Sequence, residues 1–117
     1  MPFTTKKEEE NIKQKIRDLI ERKLLDGFTD KQERPVIKVD SINLINYDIN
    51  EEESDRDKLI IQNIYSAPHI WVSNDLYGGM SNDNFEIRTQ YPLEFIYDEE
   101  QKEYIIKDYD EVSLMHS

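Results

Sequence analysis

The chain has 117 residues, with 15 Lys and Arg against 26 Asp and Glu and a formal net charge of −11. That length fits one domain core and leaves no room for two. Mean hydropathy is low at −0.83, but 4 Phe, 7 Tyr and 1 Trp argue against wholesale disorder, and the absence of cysteine excludes disulfides and thiolate metal sites.

The first predicted element is an amphipathic helix at about residues 5–26. Thr5 and Glu8 are spaced as a capping box, and Glu8, Glu9 and Glu10 suit the positive end of the helix dipole. Ile12, Ile16, Leu19, Ile20 and Leu24 make one apolar stripe, and Gly27 supplies a left-handed stop. Such a stripe needs a partner surface, either this chain's own sheet or a neighbouring molecule.

The polar stretch from Thr29 to Pro35 reads as a connector. Val36–Val39 and Ile42–Tyr47 are β-rich and roughly alternating, so they predict one long bent strand or two short ones. A second short helix is expected at about 54–65, capped by Asn50 or Ser54, with Leu59, Ile60, Ile64 and Tyr65 inward. Glu51-Glu52-Glu53 favours it, and a buried strand over Leu59–Ile64 is the runner-up. Pro68 then ends that helix, and His69–Val72 reads as a short strand.

Ser73–Asn84 contains Gly78-Gly79 and several Asn and Asp residues, which predicts a loop. Phe85–Thr89 alternates strictly, as a half-buried strand does. Leu93–Tyr97, a charged loop, and Glu103–Lys107 predict a β-hairpin over about 93–107. The acidic tail 108–117 is expected to fray. The whole is a single α+β domain over 1–117, with a mixed β/α body at 35–107. Two helices would pack on one face of an antiparallel sheet of four or five strands.

Function is less legible. Residues 1–27 sum to +1 and residues 28–117 to −12, a body that repels phosphates, so no direct nucleic-acid partner is expected. Asp48, Asn50 and Glu52 resemble the start of a calcium loop, but Glu53 and Leu59 stand where that loop needs Gly and Glu. His69 and His116 lack zinc-ligand spacing, and no phosphate loop or nucleophile elbow is present, so neither metal nor cofactor is expected. No apolar run reaches the ~18 residues of a membrane-spanning helix. The start, Met1-Pro2-Phe3-Thr4-Thr5-Lys6, shows no signal-peptide core. A cytoplasmic or virion location is expected, with no membrane partner.

One alanine (Ala67) against 15 Ile, 10 Lys and 8 Asn reads as an A/T-rich gene, such as a low-GC bacterium or its phage carries. The expectation is a non-enzymatic structural or protein-interaction subunit of a larger assembly, such as a phage virion component. Its partners would be other protein chains, copies of itself included. The alternative is a small acidic inhibitor or immunity-type protein, with carboxylates of 48–57 and 98–111 covering a basic site on a nuclease or host factor. The candidate interface residues are Trp71, Tyr77 and Met80, a cluster of aromatic and flexible side chains near the glycine pair, together with Lys13 and Arg17 on the helix.

Overall fold

A computed structural model describes residues 4–74 and 78–117. It is α+β: among the described residues, one α-helix packs with a seven-stranded, wholly antiparallel sheet. The helix, α1 (Lys6–Leu25), starts as its sequence dictates. The Thr5 hydroxyl accepts from the Glu8 N–H, and the Glu8 carboxylate accepts from the Thr5 N–H. Its stripe is sealed within its own chain, for Ile12, Ile16, Leu19, Ile20 and Leu24 are each at most 1% exposed. Burying each such side chain is worth about 1.5–3 kcal/mol before entropy is charged against it. Gly27, at φ +88°, turns the chain away at the end.

The strands are β1 (Val36–Ile49), β2 (Lys58–Asn74), β3 (Gly79–Asn84), β4 (Ile87–Thr89), β5 (Leu93–Asp98), β6 (Glu103–Ile106) and β7 (Leu114–His116). β1 is the long bent strand, irregular in register at four places along β2. β2 is the hub: β1 lies along one side of it, and β5, β4 and β3 succeed one another along the other. Its 17 residues, at about 3.3 Å each, account for the 52 Å long axis of the molecule.

The expected second helix does not form; the runner-up strand does, and it is longer than either reading. The cause is a bulge at Asn63, which has φ +55°. Between the pairs Asn46↔Tyr65 and Asp48↔Gln62, β2 carries one residue more than β1. The buried positions therefore switch parity, from Leu59 and Ile61 to Ile64, Ser66, Pro68, Ile70 and Val72. Spread across that switch, Ile60 and Ile64 mimic helical spacing.

The supposed helix caps serve turns instead. The Asn50 side chain accepts from the N–H groups of Glu52 and Glu53, and the Ser54 hydroxyl from that of Ile60. Pro68 is tolerated because it lies between β2's pairing with β4, which ends at Ser66, and its pairing with β3, which begins at His69.

Two further expectations are corrected. Much of the predicted loop at Ser73–Asn84 is strand, with β3 returning along β2 from Asn74↔Gly79 to His69↔Asn84. Ladder bonding there outweighs the poor β-propensity of Asn and Asp. The tail does not fray either, for a 3-10 turn (Tyr109–Glu111) leads into β7, which pairs with β4. His116 anchors it: its Nε2 lies 2.8 Å from the Thr29 carbonyl oxygen, and its ring sits 4.9 Å from Phe28 and 4.8 Å from Phe85. The 93–107 hairpin forms as expected, in the register Phe95↔Ile106 to Asp98↔Glu103.

Glu8 also ties the two ends of the chain together. Arg56, in the β1–β2 connection, forks onto both Glu8 oxygens at 2.9 Å and reaches the buried Tyr104 hydroxyl on β6 at 3.0 Å. The Tyr104 hydroxyl donates back to the Arg56 carbonyl. Arg56 holds the Glu8 carboxyl below its ordinary value of 4.5 against the opposing pull of burial, helped by the Thr5 N–H.

Two predictions follow from this architecture. Asn63→Val is expected to be about 1–2 kcal/mol less stable than Asn63→Gly in urea titrations, because a β-branched residue resists positive φ. Both variants lose the Asn63–Asp48 hydrogen bond, so their difference isolates the backbone term. The Glu8 ion pair contributes stability above pH 4.5 that vanishes as pH falls through the depressed folded value. Glu8→Gln is expected to flatten that acid limb of the thermal midpoint against pH, and an unchanged limb would contradict the ion pair.

Candidate interaction surface

Only one face of the sheet is covered by α1. The other face takes the alternate residues of each strand: Ile60, Tyr65, His69 and Trp71 on β2, Ile96 on β5, Ile105 on β6, and Met80 and Asn82 on β3. These apolar side chains are half-buried by their neighbours or exposed, and stand outside the cluster that α1 seals. Antiparallel sheets tolerate one wet face, yet Ile96 and Ile105 are directly paired here, with Ile60 on the diagonal.

Trp71 and Met80 are brought together on this face. Trp71 pairs with Lys38 of β1 and Asn82 of β3, and Met80 is its diagonal neighbour through the Ser73↔Met80 pair. Met80 is 55% exposed. The Trp71 indole N–H donates to the Asp40 carboxylate at 2.7 Å, and Lys38 lies 3.6 Å from the same carboxylate. That bond fixes one edge of a half-buried ring, the arrangement of a pre-set aromatic anchor. Tyr77, the third candidate of the sequence cluster, lies outside the described residues.

Lys13 and Arg17 sit elsewhere, on the flank of α1 beside Leu44–Tyr47 of β1. They border a shallow hollow with Ile45, which is 52% exposed. Lys13 pairs loosely with Glu10 at 3.8 Å. Burial, then the charges of Glu9 and Glu10, push the Tyr47 phenol upward against the pull of Arg17, so the charge of this flank is mixed. The candidate residues therefore form two separate patches, one on the open sheet face and one beside the β1 edge.

The carboxylates with displaced acidity belong to the frame. Burial alone would raise Asp30, but the Arg34 backbone N–H, its guanidinium 2.8 Å away and the Gln32 N–H bring it below the ordinary 3.8. Arg34 then reaches Asp83 on β3 at 3.5 Å, so the triad clamps the Thr29–Pro35 turn to the sheet. Among the described residues, no group of three or more His, Asp or Glu is placed to hold a metal ion, and no helix is long and apolar enough to cross a membrane.

Sequence reasoning missed Asp40, Ile60, Ile96 and Ile105. The signal for the last two was present: Phe95-Ile96 and Tyr104-Ile105-Ile106 are consecutive apolar residues in strands whose neighbours alternate, which puts apolar groups on both faces. No family model matches the chain, and neither the curated proteins nor the solved structures include a significant match.

Asp40→Ala is expected to free the indole while costing at most about 1.5 kcal/mol. Trp71 is the single tryptophan, so acrylamide quenching of its emission reads this directly. Quenching is expected to rise in the variant, and an unchanged quenching constant would show that Asp40 does not hold the ring.

Proposed function

We propose that the chain is a non-enzymatic protein-interaction subunit of a larger assembly, and that its contact surface is the open face of the sheet around Trp71 and Met80. The observation that carries this reading is the Trp71–Asp40 bond, which orients an indole on a face that no second layer covers among the described residues. Large aromatic side chains held in place and flanked by a flexible methionine supply most of the energy in protein contacts. The displaced carboxylates, Glu8 and Asp30, support a contact role because both are occupied by arginines that brace the fold.

Charge would assist the same contact. A body this acidic draws basic partners at long range and discourages non-specific association with other acidic chains. The inhibitor reading differs in which groups carry affinity. Its favouring observation is the exposed turn Glu51-Glu52-Glu53 at the end of the β1–β2 hairpin, whose carboxylates would meet a basic site directly.

Native mass measurement on material from the natural source tests the proposal, with an expected particle larger than the 14.1 kDa chain. The double variant Trp71→Ala, Met80→Ala is expected to weaken that association by roughly 30-fold or more, the effect of removing an aromatic anchor worth about 2 kcal/mol. A chain that stays monomeric in its natural source would overturn the reading. Association that survives the double variant but disappears in 1 M NaCl would transfer the role to the acidic turn.

A further inference from the structure

We infer that the cleft beside Arg88, where β2 changes partners, is a binding site for a carboxylate. The β2–β5 ladder ends at Ile61↔Leu93, and the β2–β4 ladder begins at Tyr65↔Arg88. Gln62–Ile64 therefore have no ladder partner on that side. The chain that would have supplied one swings away, with the Gln90 N–H donating to the Ser113 carbonyl. What remains is a cavity of about 190 Å³, lined among others by Gln62, Tyr65, Arg88, Gln90 and Tyr91.

Arg88 sets the chemistry. The other two arginines of the body, Arg34 and Arg56, each hold a carboxylate. Arg88 is half-buried and its backbone pairs with β2 and β7, yet its side chain has neither an ion-pair nor a hydrogen-bond partner among the described residues. A guanidinium lining a cleft with its donors unused favours an anion, and its planar fork matches a carboxylate. Among the described residues it is the one cation lining the cleft, so it balances a single negative charge; a phosphate dianion would lack a second cation. The Gln62 and Gln90 side chains add amide donors. The rings of Tyr65 and Tyr91, the latter 68% exposed, offer flat walls to the body of a small ligand. The cleft shares Tyr65 with the open face, but its lining includes neither Trp71 nor Met80.

The test is a titration of the full chain with benzoate, followed by NMR shifts of the Gln62 and Gln90 amides. Sulfate at matched ionic strength serves as the competing anion. An N-acetylated Ala-Phe dipeptide, as the free acid and as the C-terminal amide, separates a chain end from a small free carboxylate as the source. Saturable shifts are expected with a carboxylate, at least tenfold weaker binding in Arg88→Gln, and an intermediate loss in Arg88→Lys. Tighter binding of the dipeptide acid than of benzoate assigns a chain end, and the reverse order assigns a small acid. No saturation by either carboxylate would overturn the site, as would equal binding by sulfate or by the dipeptide amide, or undiminished binding in Arg88→Gln. Should Arg88→Gln fail to fold, Arg88→Lys carries the comparison, with its thermal midpoint as the control.

Discussion

Among the described residues, every other strand but two is hydrogen-bonded to β2, and the bend in β2 at Asn63 decides what those strands can do. Before the bulge, β2 serves β5 and through it β6; after it, β2 serves β4 and β3, with β7 added beyond β4. One residue in a left-handed conformation turns the buried side of the strand over by a single position, so Leu59 and Val72 both face the core although their numbers differ in parity. Without it, half of the strand would present its apolar residues to solvent. The same irregularity parts β5 from β4 and leaves the cleft that Arg88 occupies.

The second constraint is the pin at the start of α1. Among the described residues one helix is the whole of the second layer, so its placement fixes the depth of the core from Tyr104 to Val36. Glu8 acts locally, closing the cap on Thr5, and at long range, holding Arg56 and through it Tyr104. At the far end, Lys23 lies over the Tyr109 ring at 4.6 Å, and His116 is clasped by Phe28 and Phe85. The helix is thus fastened at both ends by segments distant from it in sequence.

The elements with a single periodicity were legible from the residues alone. Helix α1 announced its cap, its stripe and its stop, and the 93–107 hairpin announced its alternation and its turn. What hid β2 was superposition, because Leu59–Tyr65 carries two strand registers joined by a bulge, and their sum resembles a helical face. Asn50 and Ser54 misled for a related reason: a side chain that caps a helix caps a turn with the same hydrogen bond. β3 was obscured because an edge strand can be held by backbone pairing with few β-formers among its residues. Of the candidate site, Trp71 and Met80 were reachable by composition. Asp40, 31 positions before its indole partner, was not, because only register across β1 and β2 brings them together.

The seating of the His116 ring against Phe28 and Phe85 has a consequence for the order of folding. β7 lies far along the chain from α1 and Phe28, so these contacts must close a long loop before they return any stabilisation. The cap of α1 and the 93–107 hairpin are local and form early, whereas the clasp on His116 waits until both distant segments are in place.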